Sequence, residues 1–267
     1  MIVDAHQHFW TADYAWLADP SLEPIRRDYG VDDLLPHLAA SGVDASILVE
    51  GGRCESAETA WFLSLAAATP AIAGVVGWAS LSDLSDISAL PDSEWLVGIR
   101  DQVQAGPDDL LDHLHPGLAT VAAAGLVNEL VVRTPQLPSV ARAAAALPDA
   151  RFVLDHLGKP PIADPDGLAV WRSMIAPIAE CPNVTAKLSG LVTEAGPDWT
   201  ADALRPWVQT ALELFGPDRL MFGSDWPVCE LVATYEQVID ALTEILGGRP
   251  AAVFGDTATR VYGLEPL

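Results

Sequence analysis

The chain has 267 residues, half of them hydrophobic, with 14 basic against 37 acidic side chains and a formal net charge of -23. So acidic a chain lacks the counterion-displacing surface that nucleic acid or an anionic membrane requires, and no apolar run is long enough to span a bilayer. The three cysteines, Cys54, Cys181 and Cys229, are odd in number and form no CxxC pair, so neither a disulfide framework nor a structural zinc knot is expected; the reading is a cytoplasmic protein whose partner is a small molecule.

The first strand is predicted over 2–8, IVDAHQH. His6 and His8 lie two apart on it, so both side chains leave the same face. A helix over 31–42 leads into the second strand, 45–52, which ends on Glu50 with Arg53 beyond it. A helix over 57–70 precedes the third strand, 73–81, and the segment 81–94 carries a short helix or none. The fourth strand, 95–102, ends in Arg100, Asp101 and Gln102. A helix over 108–125 precedes the fifth strand, 126–133, and one over 138–149 precedes the sixth, 151–158, which offers Asp155 and His156, with Lys159 following. Helices over 168–182 and 201–218 lead into the seventh strand, 183–190, with Lys187 and Ser189, and the eighth, 219–227, with Ser224 and Asp225. A last helical pattern covers 235–248.

Most of these strands begin with an unbroken apolar run, as strands buried on both faces do. Strand alternating with helix predicts a parallel sheet with right-handed crossovers. Eight such units predict a single α/β (β/α)8 TIM barrel, one domain over 1–267. No glycine-rich GxGxxG or GxxxxGK[ST] sequence follows the first strand, which removes support for a nucleotide cofactor.

Functional groups of such a barrel sit at the C-terminal ends of its strands. A lone strand histidine is usually a satisfied core residue, but a His-x-His pair at a strand end puts two imidazoles within reach of one metal ion. Asp225 would point into the barrel mouth, for water activation or metal ligation; the structural alternative is an N-cap for the next segment. Pleat register decides whether Asp155 or His156 faces inward, and His156 is preferred because an imidazole polarises a carbonyl or completes a metal shell. Arg100 either grips a substrate oxygen or salt-bridges a barrel acid such as Glu50. Lys187 and Lys159 suit the gripping role too, with solvated surface the alternative for Lys159. Cys229 is expected as a small buried hydrophobe. His37, His113 and His115 fall in helical patterns away from strand ends and read as surface residues.

The segments DAHQHFW around His6 and His8, GIR around Arg100, LDHLGKP around His156, KLSGL around Lys187 and MFGSDWP around Asp225, with the tail FGDTATRVYGL, occur in this order. In them the whole chain resembles the small amidohydrolase-related hydrolases of the amidohydrolase superfamily, the group containing sugar-lactone and pyrone-dicarboxylate lactonases. The resemblance implies a hydrolase that opens a lactone ring, either a sugar aldonolactone or a carboxylated lactone, by attack of water on the ring carbonyl. Asp225 would be the general base, and His6, His8 and His156 would polarise the carbonyl directly or through one ion. Arg100, Lys187, Glu50 and Trp226 would contact the substrate. Dinuclear superfamily members carry a fourth-strand lysine and usually a fifth-strand histidine; this chain reads VGIRDQ and LVNELVVR there. At most one divalent ion is therefore expected, zinc first, held by His6, His8, His156 and Asp225, with a metal-free enzyme as the alternative. The resemblance also covers a metal-dependent nonoxidative decarboxylase. A non-catalytic barrel is a third reading, but it leaves the trio His6, His8 and Asp225 without a purpose.

Overall fold

The computed structural model describes residues 1–90, 93–164 and 166–265. Eight strands, β1 Val3–Gln7, β2 Ala45–Val49, β3 Ile72–Gly77, β4 Leu96–Asp101, β5 Val127–Leu130, β6 Phe152–Leu154, β7 Val184–Leu188 and β8 Leu220–Phe222, pair in chain order, all parallel. The barrel closes at its C-terminal rim: the Asp225 N–H donates to His6 O at 2.9 Å, and the His8 N–H donates to Trp226 O at 2.8 Å. Asp4, buried at the same seam, accepts from the Ser224 hydroxyl (2.6 Å), the Ser224 N–H (2.9 Å) and the His6 N–H (3.1 Å). Closure and site construction are thus the same set of contacts.

The helices α1 Val31–Ser41, α2 Ser56–Ala68, α3 Leu84–Ser88, α4 His115–Ala123, α5 Leu137–Ala146, α6 Gly167–Ala179, α7 Leu191–Ala195, α8 Ala201–Phe215, α9 Tyr235–Leu246 and α10 Thr257–Tyr262 complete the αβ units. Among its described residues the predicted weak segment 81–94 holds only the one-turn α3; its Pro91 and Asp92 lie outside the described residues. The helix expected over 108–125 is split into a 3-10 turn, Leu110–His113, and α4, because Pro116 sits in the first turn of α4, where its missing N–H costs nothing. The short α7 was not legible in the sequence.

Side chains from β1 to β6 and from β8 fill the lower half of the barrel with aliphatic groups, among them Val3, Ile47, Val76, Val127, Val153 and Met221. Ala258, Val261 and Tyr262 of α10 pack against them and stop the N-terminal opening. Each such aliphatic side chain stabilises the fold by roughly 1.5–3 kcal/mol when fully buried. A second, larger apolar layer lies between the sheet and the outer helices, where Phe62, Trp171, Val208 and Ile239 are buried. Cys229 is fully buried, as expected, whereas His37 is half-buried, with Nδ1 2.7 Å from Glu236 Oε1.

Candidate active site

At the C-terminal rim the backbone leaves its ordinary regions. Asp225 has φ 57° and follows β8; His156, Leu157, Gly158 and Lys159 follow β6 with φ of 52°, 52°, 70° and 52°. A left-handed conformation costs a non-glycine residue roughly 1–2 kcal/mol, so the surrounding contacts must hold these positions. Two glycines make room. A Cβ on Gly190 (φ 66°) would stand 2.7 Å from His156 Nδ1 and 3.1 Å from Asp225 Oδ2, and one on Gly223 would stand 2.7 Å from His6 Cβ.

These turns gather His6, His8, His156 and Asp225. His6 Nε2 and His8 Nε2 face each other at 3.1 Å, and Asp225 Oδ1 is 3.6 Å from each. His156 Nε2 lies 4.0 Å from the same oxygen. Burial outweighs the neighbouring carboxylates at two of the imidazoles: it holds His6 well below its ordinary range and lowers His156 to about 4. Both are therefore neutral near pH 7. For Asp225 burial works against the charge but is outweighed by His156, the His8 hydrogen bond and His6, which hold the carboxyl well below the usual range. It is an anion at any working pH.

The donor chemistry suits a cation. His8 Nδ1 lies 2.9 Å from Val49 O, which can only accept, so Nδ1 donates there and Nε2 is the ring nitrogen turned to the site. His6 Nδ1 lies 3.3 Å from Asp155 Oδ1, an oxygen with no hydrogen-bond partner among the described residues. Lys187 Nζ, which can only donate, lies 3.1 Å from the same Nδ1, so Nε2 is the His6 nitrogen turned to the site. Tetrahedral ligands at zinc–nitrogen bond lengths stand roughly 3.3 Å apart, and the triangle of 3.1, 3.6 and 3.6 Å brackets that spacing. His6, His8 and Asp225 can thus hold one metal ion, with His156 beside them. A second donor set, His6, Asp155 and His156, is already taken by protein cations: Arg100 donates to Asp155 Oδ2 at 2.9 Å, and Lys187 Nζ is 3.4 Å from Asp155 Oδ1.

The left-handed turn resolves the choice between Asp155 and His156: both point inward. Asp155 lies deep, with burial opposing its charge and Lys187, His6 and Arg100 keeping it well below the ordinary carboxylate range. His156 lines the pocket, its Nδ1 2.9 Å from Ser189 Oγ. Three expected substrate contacts require correction. Lys187 is fully buried below the site, where it pairs with Glu129, stands 3.1 Å from His6 Nδ1, and has no edge on the pocket. Glu50 is fully buried too, accepting from Arg100 Nε at 2.6 Å and the Gly52 N–H at 2.8 Å. Trp226 faces away from the pocket, packed on Phe9 and Tyr29, and its Nε1 donates to Glu230 at 2.8 Å. Arg100 reaches the pocket wall, but its guanidinium is already engaged by Glu50 and Asp155.

The pocket has a volume of about 560 Å³. His8, His156 and Asp225 line its floor. Trp10, Trp16 and Leu22 are apolar members of its lining; Gln102, Gln104, Lys159 and Glu194 are polar ones. Trp10 lies in a loop, and Trp16, Gln104 and Glu194 in short helical turns after the strands, where no strand-end rule points to them. Glu129, which accepts from the Tyr262 hydroxyl at 2.6 Å, did leave a signal in the sequence: an acid inside the apolar run LVNELVV.

The amidohydrolase family model matches residues 3–264, and the chain belongs to this family. It is 41% identical to an L-fucono-1,5-lactonase of Burkholderia multivorans, covering 99% of this chain and 97% of that protein. It is 36% identical to an L-fucono-1,5-lactonase of Burkholderia ambifaria, covering 98% and 96%. A crystal structure of an amidohydrolase from Burkholderia multivorans with bound zinc superposes with a TM-score of 0.92 at 38% identity, over 99% of this chain and 100% of that one.

Proposed function

We propose that this lactone hydrolase opens the six-membered ring of a sugar aldonolactone, with Asp225 as general base, and that residues 1–267 act as one domain. The observation that carries the reading is the Asp225 carboxylate, flanked by the imidazoles of His6, His8 and His156, in a pocket lined by both apolar and polar side chains. The substrate class follows from the L-fucono-1,5-lactonases to which the chain is similar over its full length.

His6, His8 and Asp225 would hold a divalent ion, zinc by their donor types and by the zinc-bound relative, which when bound polarises the ring carbonyl and acidifies the attacking water. Asp225 Oδ1 faces His6 and His8, so Oδ2 is the oxygen free to receive the proton of water as its oxygen bonds to the carbonyl carbon. The bond from that carbon to the ring oxygen then breaks. Asp225 returns the proton to the departing alkoxide, giving a hydroxy acid. His156, neutral and hydrogen-bonded to Ser189, orients against the reacting carbonyl. Arg100, fixed by Glu50 and Asp155, presents positive charge to the developing anion without having to reorganise. Three free thiols suit a reducing cytoplasm.

Proton release in a pH-indicator assay with L-fucono-1,5-lactone and related aldonolactones is the test, run beside elemental analysis. The expected results are acidification and one equivalent of metal per chain. Carbon dioxide from aromatic or enoic acids, with an inert lactone panel, would reverse the assignment; two equivalents of metal would overturn the single-ion site.

A further inference from the structure

The left-handed run after β6 does more than aim His156. A single turn of consecutive left-handed residues brings the side chains of i and i+3 to one side, so the turn that delivers His156 also delivers Lys159. The Lys159 N–H closes that turn on His156 O at 2.9 Å. Its ammonium lies half-buried on the pocket wall and donates to Gln104 Oε1 at 2.6 Å. Gln104 Nε2 donates to Gln102 Oε1 at 3.1 Å, and Gln102 Nε2 donates to Glu50 Oε1, the oxygen that also accepts from Arg100.

The direction of this ribbon matters. Each amide oxygen is used as an acceptor inside the chain of contacts, so the two carboxamides cannot flip without breaking it. What remains free is the donor side: two N–H of the Lys159 ammonium and one N–H on each amide. Burial disfavours the charge of Lys159, and Glu194, another residue lining the pocket, partly offsets that. Trp16 and Leu22, which also line the pocket, offer no comparable donors apart from the Trp16 Nε1, and that is already given to Gly51 O at 2.9 Å. A ring carrying hydroxyl oxygens and C–H groups matches a lining that mixes free donors with apolar side chains.

We propose that Lys159, held by Gln104 and Gln102, is the specificity-determining residue that binds a hydroxyl oxygen of the lactone ring. This deepens the lactonase reading and rests on it. Lys159 acts on the ring substituents and takes no part in breaking the ester bond. Its positive φ is the strain accepted for that placement.

The test compares two substrates and three variants. L-Fucono-1,5-lactone carries ring hydroxyls; δ-valerolactone has the same ester in a bare ring. Lys159→Met should lower kcat/KM on the hydroxylated lactone roughly ten- to hundredfold, the range for losing a hydrogen bond to a charged group, chiefly through KM, and change it less than threefold on δ-valerolactone. Lys159→Arg should recover part of the loss. Lys159→Gly should raise the melting temperature, since glycine fits the left-handed position, while losing the same discrimination. Equal losses on both lactones would overturn the proposal by placing Lys159 at the reacting bond or in the support of His156, and so would no loss on either. A wild-type enzyme inert to both lactones would overturn the lactonase reading itself. Calorimetric titration with the open-chain product, L-fuconate, separates the two failures: binding that weakens in Lys159→Met supports the assigned contact whatever the turnover, and unchanged binding sinks it.

Discussion

The two halves of the barrel interior are built on opposite principles. The lower half is aliphatic and plugged by α10. The upper half buries Glu50, Arg100, Glu129, Asp155 and Lys187 under the histidines. Below, apolar groups in ordinary strand conformations need nothing but each other. Above, charges are buried only in mutual contact, and the backbone at the rim is forced left-handed at five non-glycine positions in and around the site, from Cys54 to Asp225. Stability concentrates where no chemistry occurs, and the chemistry sits where burial is costly.

The largest effect that would sharpen this contrast is expected at the rim. Asp225→Asn should lower kcat by about a hundred- to ten-thousandfold, the worth of general base catalysis. Asparagine tolerates the left-handed conformation, so the circular dichroism spectrum should not change; a variant keeping most of its lactonase activity would remove Asp225 from the proton transfer. At the opposite end, Met221→Ala should destabilise the fold by about 2–5 kcal/mol in chemical denaturation, with kcat within a few-fold of the parent at a temperature where both are folded. A large turnover defect there would show that the lower half does more than support. The smallest effect belongs to the link between halves. Tyr262 projects from the plug and donates to Glu129, whose partner Lys187 stands against His6. Burial has pushed the Glu129 carboxyl up to about 7. Tyr262→Phe leaves its Oε2 without that donor, which should cost about 1–3 kcal/mol and change turnover several-fold at most; a loss as deep as that of Asp225→Asn would mean that the halves cannot be treated separately.

The sequence revealed the barrel because its strands are buried on both faces and therefore read as apolar runs, from IVDA in β1 to RLMF before Asp225. It revealed His6, His8 and Asp225 because strand ends aim side chains at one rim. It could not reveal depth. Lys187 and Glu50 occupy inward positions one layer too low to touch a ligand, and the pleat says inward or outward, not how far from the mouth. The sequence also failed at irregular backbone. Gly158 and Pro160 announce a turn after β6, but nothing in their identity shows that His156, Leu157 and Lys159 all turn left-handed. That conformation rescues both Asp155 and His156 from a choice that regular alternation would have imposed. The polar wall of Gln102 and Gln104 lies beyond β4, where tertiary contacts with Glu50 and Lys159 set the geometry.

The seam between β1 and the exit of β8 has a bearing on the order of events in synthesis. His6 and His8 emerge from the ribosome more than two hundred residues before Asp225, and the contacts that join them to it also shut the cylinder. A nascent chain lacking its eighth strand has an open sheet edge and two histidines without their carboxylate. It can neither catalyse nor hold an ion in the final geometry. Catalytic competence therefore arrives as a single late event, and activity regained during refolding should report closure of the last seam rather than formation of the earlier strands.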